Sequence, residues 1–297
     1  MRVAFLGLGA IGAPMARHLV SRFELAVWNR TAAKARAFAE ANNASAASNP
    51  ADAARGAAIV VTCLPTSREV ESLLDGDTGV LATMERGSLL IDCTSGDPAT
   101  SRRIAKRLDG RGIGFVDAPV SGGVSGAEKG KLTVMCGADE RTFAKARSVL
   151  EAFGEKIVLC GPVGAGHAVK AVNQAMLGVH IWALAEGLVA LEKAGVPTGT
   201  ALDVINASSG RSNASMNLFP ERVMTRAFPR TFRLALLDKD ARIAAEFARE
   251  HGVASPLLQL TAELLRVARH ALGEEADHVE AVKVIEQLAG SEIGRTR

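Results

Sequence analysis

Val3-Ala4-Phe5-Leu6-Gly7-Leu8-Gly9-Ala10-Ile11-Gly12 is the stretch on which the fold turns. Four apolar residues read as a short buried strand. Three glycines follow in a G-x-G-x-x-G spacing, and Ile11 to Arg22 then carries apolar residues at helical spacing. In such a strand–turn–helix the first glycine allows the tight turn, the second lets backbone approach a pyrophosphate, and the third lets the helix pack on the strand. The helix N-terminus then faces the phosphates with its partial positive charge. Glycine-rich turns without any ligand are common, but here a second strand, Leu25 to Trp28, arrives in the order a dinucleotide cradle requires.

Outward from this stretch, β-rich runs alternate with helical patterns. They are Ala58 to Cys63, Ser88 to Cys93, Gly114 to Asp117, Leu132 to Cys136 and Lys156 to Cys160, with Pro98 to Leu108 among the intervening helices. The alternation predicts a wound, largely parallel sheet. After Gly161-Pro162-Val163-Gly164 the strands stop. Helices are expected at about Gly166 to Ala194, Gly199 to Ser208, Phe232 to His251, Pro256 to Leu272 and Val279 to Leu288. The expected architecture is an α/β Rossmann-like N-terminal domain over 1–162 and an all-α C-terminal domain over 163–297. A chain of 297 residues is long for one core and suits two. The first long helix carries more apolar surface than a compact helical domain needs, which points to self-association as a homodimer or homotetramer.

With 35 Lys and Arg against 32 Asp and Glu, interspersed along the chain, no electrostatic stripe for nucleic acid or lipid headgroups stands out. Cys63, Cys93, Cys136 and Cys160 lie in or at the ends of apolar runs without metal-ligand spacing, and read as buried thiols in a reducing compartment; no metal site is expected. Met1 passes directly into a strand, leaving no room for a signal core. The apolar stretch Ala168 to Leu191 is interrupted by Lys170, Asn173, Gln174, His180 and Glu186, against a membrane span. The expected location is cytoplasmic.

Asn29-Arg30-Thr31 follows the second strand, where NAD-selective folds place an acid for the ribose hydroxyls. No acid stands there. Arg30 can pair a 2′-phosphate, with Asn29 and Thr31 adding polar contacts, so NADP, as NADPH, is the preferred cofactor and NAD remains possible. The bland alternative is an arginine on an exposed turn.

Four blocks, Gly7 to Ala16 (GLGAIGAPMA), Asp117 to Gly123 (DAPVSGG), Gly164 to Asn173 (GAGHAVKAVN) and Lys239-Asp240, give the chain a resemblance to the β-hydroxyacid dehydrogenase family, which includes 3-hydroxyisobutyrate dehydrogenases and the reductases of tartronate semialdehyde, glyoxylate and succinic semialdehyde. Ile11 stands where that family usually has Met, a like-sized change. The resemblance implies Lys170 as the catalytic residue and Ser121, Gly122, Gly123 and Asn173 as substrate contacts. It also implies cofactor contacts from Gly7, Leu8, Gly9, Ala10, Ile11 and Gly12, from Leu64-Pro65, from Thr94 and Ser95, and from Lys239.

The residues make sense of that chemistry independently. Lys170 and Asn173 are three apart on one helix face, so an acid/base and an amide project together. An ammonium can stabilise and protonate the oxygen left by hydride transfer, and a neutral amine can take the alcohol proton in reverse. From spacing alone, a surface lysine would be the plainer reading. Ser121-Gly122-Gly123 lies just past the strand ending near Asp117, and its backbone N–H groups can receive a carboxylate, although glycines also serve ordinary turns. Arg211, in the polar loop Asn206 to Asn213, is a further candidate for the acid group. His167 and His180 are the rival acid/base residues; His167 is expected to line a cleft, and His180 falls on another face.

Three rival readings remain. An imine reductase shares the plan but typically has another residue at the Lys170 position. In 6-phosphogluconate dehydrogenase a histidine precedes the asparagine, where Val172 stands here. A non-catalytic cofactor-binding module would be expected to lose Lys170.

Overall fold

The computed structural model describes residues 1–294; the last three residues of the expected 163–297 domain lie outside the described residues. The chain forms two compact units, Met1–Lys170 and the remainder from Ala171. The division falls inside a helix.

The first unit runs β1 (Arg2–Leu6), α1 (Gly12–Leu19), β2 (Glu24–Trp28), α2 (Ala32–Ala41), β3 (Ser45–Ala46), α3 (Pro50–Ala54), β4 (Ile59–Thr62), α4 (Ser67–Ser72), β5 (Leu89–Asp92), α5 (Pro98–Asp109), β6 (Gly114–Asp117), β7 (Val120–Ser121), α6 (Gly123–Glu128), β8 (Leu132–Gly137), α7 (Glu140–Leu150) and β9 (Gly154–Gly161). The strands form one sheet in the order β3-β2-β1-β4-β5-β6-β8-β7, with β9 pairing β8. From β3 to β6 every pairing is parallel, Val3 lying opposite Leu25 on one side and Ile59 on the other. β8 turns antiparallel to β6 and β7, and β9 returns parallel to β8.

β1, β4 and β5 carry no alternating polar face because helices cover both sides of the sheet. Phe5, Val61 and Ile91 pack into one apolar cluster with Met15 and Leu19 of α1, while Ala4, Leu6, Val60 and Leu90 pack into another with Ile104 and Leu108 of α5. Side-chain caps set several helix starts: Asn49 accepts from Asp52 N–H, Asp97 from Thr100 N–H and Asp139 from Thr142 N–H.

Of the four expected buried thiols, only Cys93 and Cys136 are buried. Cys63 stands just past the end of β4 and Cys160 lies on β9, and both are half-buried; all four are free thiols.

α8 (Ala165–Lys193) carries the chain from the first unit into the second. The second unit continues with α9 (Thr198–Asn206), a π-helical segment Ala214–Val223, α10 (Leu234–Glu250), α11 (Pro256–Leu272) and α12 (Val282–Ala289). Ala175, Ile181, Ala185 and Leu188 of α8 share a core with Leu237, Ala241 and Ala244 of α10 and Leu265 of α11. By length and hydropathy α8 would pass for a membrane span, yet these residues are interior packing of a helical core.

The sheet and helices bear out the α/β Rossmann-like and all-α reading. The π-helical segment was not expected: Ser212, Asn213 and Asn217 interrupt the apolar pattern, and Pro220 sits inside it.

Candidate active site

At the carboxyl end of β1 the chain turns through Gly7, whose φ of 109° lies where side chains are rarely tolerated; a Cβ there would stand 2.2 Å from the Cys63 carbonyl oxygen. A Cβ on Gly12 would stand 2.0 Å from the Gly7 carbonyl oxygen. Gly9 differs, since a Cβ there would meet nothing within 4 Å. So Gly7 and Gly12 are required by the turn itself, whereas Gly9 and Ala10 form an exposed, open rim. No side chain caps α1 at Ile11; Ala13 N–H donates to the Gly9 carbonyl oxygen at 3.0 Å, and Pro14 carries no N–H. An uncapped helix start with open backbone in front of it fits a pyrophosphate.

Leu8 N–H donates to Asn29 Oδ1 at 3.0 Å, and Asn29 Nδ2 donates to the Thr31 carbonyl at 3.2 Å. These bonds join the phosphate turn to the segment after β2, where Arg30 and Thr31 are exposed and no acidic side chain stands between Trp28 and α2. The residues present therefore fit a dinucleotide with a cation near its adenosine ribose.

The neighbouring loops are braced from below. Leu64 N–H donates to Thr94 Oγ1 at 3.1 Å, and Thr94 N–H donates to the buried Asp92 at 3.0 Å, which also accepts from Thr62 Oγ1 at 2.8 Å. Leu64, Pro65, Thr94 and Ser95 thus lie on adjacent loops after the parallel strands β4 and β5. Burial pushes the Cys63 thiol up to about 12, with Asp92 adding to the effect, and burial raises the Cys93 thiol as well. Neither is a thiolate nucleophile near neutral pH.

Ser121 ends β7, and Gly122 and Gly123 follow with φ of 134° and 63°. The glycines serve the turn and at the same time leave exposed backbone at the start of α6.

Lys170 is 7% exposed, in the second turn of α8. The surface-lysine reading does not describe it. His167, expected to line a cleft, is 0% exposed: its Nε2 lies 2.7 Å from the Thr94 carbonyl oxygen and its Nδ1 2.6 Å from Ser101 Oγ. Both ring nitrogens are engaged. Beneath it Asp117, also buried, accepts from Gly164 N–H at 2.7 Å and from His167 N–H at 2.9 Å. Asp117 closes β6, as the sequence predicts, but its role at the start of α8 is not signalled by spacing.

In the second unit, Asn173 is exposed on α8 and donates to Gln174 Oε1 at 3.2 Å. Arg211 is exposed in the segment before the π-helix, and Lys239 pairs with the buried Asp240 at 3.0 Å. His180 is half-buried on α8. Among the described residues no group of three or more His, Cys, Asp or Glu is placed to hold a metal ion.

Residues 2–161 match the model of the NAD-binding domain of 6-phosphogluconate dehydrogenase, and residues 164–285 match that of the NAD-binding region of NADP-dependent 3-hydroxyisobutyrate dehydrogenase. The 2-(hydroxymethyl)glutarate dehydrogenase of Eubacterium barkeri is 36% identical over 297 residues, covering 98% of this chain and 96% of that protein. The chain belongs to the β-hydroxyacid dehydrogenase family.

A 3-hydroxyisobutyrate dehydrogenase of Pseudomonas aeruginosa is 34% identical over 93% of this chain and 94% of its own length. The solved structure of Mycobacterium tuberculosis 3-hydroxyisobutyrate dehydrogenase with L-serine superposes with a TM-score of 0.87 at 30% identity, covering 96% of this chain and 98% of that one. As a β-hydroxyacid dehydrogenase, the protein is an NAD(P)-dependent oxidoreductase acting on hydroxyl groups.

Proposed function

We propose that this β-hydroxyacid dehydrogenase is NADP-linked and interconverts a small β-hydroxy acid and the matching aldehyde acid, with Lys170 as general acid/base. The observation that carries the reading is Lys170 itself, 7% exposed on a helix whose first turn is bonded to the end of β6. A lysine side chain can both give and take a proton.

When bound, the nicotinamide supplies or accepts the hydride. In the reducing direction Lys170 Nζ delivers a proton to the oxygen that becomes the hydroxyl; in the oxidising direction the neutral amine takes that proton back. Asn173, three residues on, offers an amide to the same substrate oxygen or its neighbour. The N–H groups of Ser121-Gly122-Gly123 receive the substrate carboxylate, with Arg211 as a second contact for it. Gly7 to Gly12 hold the pyrophosphate, Arg30 with Asn29 and Thr31 the 2′-phosphate, and Leu64, Pro65, Thr94, Ser95 and Lys239 complete the cofactor contacts.

The reading includes a cytoplasmic homodimer or homotetramer. Apolar side chains exposed on α8 and α11, among them Met176, Leu257 and Leu260, support self-association.

The test follows NADPH and NADH consumption against short aldehyde acids, including the semialdehydes of methylmalonate and succinate. Turnover preferring NADPH supports the proposal. Absence of turnover across the panel, or a preference for NADH, contradicts it.

A further inference from the structure

Asp117 closes β6 and is fully buried. Its two oxygens are committed to the start of α8: Oδ1 takes the N–H of Gly164 just before the helix, and Oδ2 takes that of His167 in its first turn. The opening N–H groups of a helix have no partner within it. A carboxylate 47 residues away in sequence therefore does for α8 what a local capping residue does for α5 or α7, and it brings negative charge to the positive end of the helix. Burial pushes the Asp117 carboxyl up, against the lowering effect of His167 and the two amides.

The His167 side chain adds a second tie. A carbonyl oxygen can only accept, so the 2.7 Å contact with Thr94 requires a hydrogen on Nε2. Nδ1 meets Ser101 Oγ, which also lies 3.0 Å from the Asp97 carbonyl oxygen. One side chain thus joins α8 to the loop after β5 and to the first turn of α5. Lys170 lies three residues beyond His167, one turn on and on the same side of the helix.

We infer that Asp117 and His167 are positioning residues for Lys170, fixing the rotation and height of α8 against the Thr94–Asp97 loop without touching substrate themselves. The inference rests on Lys170 being the acid/base. A helix free to rotate or slide would move a lysine amine by an ångström or more, and displacements of that size cost about 10²-fold in rate when they separate reacting groups.

The experiment compares the intact protein with Asp117→Asn, His167→Leu and His167→Gln. Glutamine keeps a donor for the Thr94 carbonyl and an acceptor for Ser101; leucine keeps bulk and neither bond. Without ligand, amide hydrogen exchange over residues 164–170 is expected to be about tenfold faster or more in Asp117→Asn and His167→Leu, and near the intact rate in His167→Gln. With NADPH and the best aldehyde acid, kcat is expected to fall about tenfold or more in the first two at a KM for NADPH within about threefold, and His167→Gln to recover most of it.

Intact kcat in His167→Leu, or a glutamine variant as slow as the leucine one, overturns the inference. Should Asp117→Asn or His167→Leu fail to fold, Ser101→Ala decides: about a threefold fall in kcat at unchanged KM for NADPH supports it, and an unchanged kcat overturns it. If Lys170→Ala turned over normally, the acid/base reading would fail whatever the His167 variants did. A dead Lys170→Ala beside an unimpaired His167→Leu would sink the positioning role alone.

Discussion

The backbone N–H of Leu8 donates to the side-chain oxygen of Asn29 at 3.0 Å, so the glycine-rich turn after β1 and the segment that carries Arg30 are one bonded piece. The backbone that carries Arg30 is therefore tied to the turn proposed to hold the phosphates. Arg30→Ala is expected to lower kcat/KM with NADPH by about tenfold or more, the loss of one charge-assisted hydrogen bond, and to leave NADH nearly unaffected. Steady-state kinetics with both cofactors checks this; an unchanged NADPH preference rules out the role given to Arg30.

The three glycines of the turn separate by what surrounds them. Gly12→Ala places a Cβ against the Gly7 carbonyl oxygen and is expected to destabilise the first unit by about 2 to 3 kcal/mol. Gly9→Ala points into open space, so its stability should stay within about 0.5 kcal/mol of the parent. Because that space is where the proposed pyrophosphate lies, Gly9→Ala should weaken NADPH binding about tenfold or more. Thermal unfolding and fluorescence titration distinguish the two; Gly9→Ala binding NADPH normally would count against the cradle.

Much of the first unit was legible because its signal is local. β-branched and aliphatic runs marked β1, β4, β5 and β6 to within two residues, and glycine spacing placed the turn after β1. β3 and β7 were missed: Ser45–Ala46 and Val120–Ser121 are two residues each, too short to show alternation. The division between the units at Lys170 and Ala171 leaves no mark in composition, since a helix runs through it.

In the site, periodicity gives the face of a helix but not its depth. Lys170 and His167 could be put on one side of α8 from spacing, whereas the partners that surround the buried His167 are Asp117, Thr94 and Ser101, none of which is near it in sequence.

Stability in acid should depend on the second unit. Asp277 is fully buried; burial opposes its ionisation, but the His278 side chain and the N–H groups of Phe232 and Thr231 hold its carboxyl well below the ordinary value of 3.8. A carboxyl depressed by folding stabilises the fold above its unfolded value and loses that contribution as pH falls toward its folded one. Asp277→Asn is expected to cost about 2 to 3 kcal/mol at neutral pH, by leaving buried donors short of an acceptor. The gap between mutant and parent should narrow below pH 3.8. Urea titrations across that range measure it; a gap that stays constant with pH would show that Asp277 is not the acid-sensitive group.

The most direct test of the proposed chemistry is Lys170→Ala, with NADPH binding measured on the same sample. The expected result is a kcat lower by about 10² to 10⁴ with the NADPH Kd little changed, the signature of a lost proton-transfer group in an intact cofactor site. A kcat within a few-fold of the parent would contradict the account and require another residue to carry the proton.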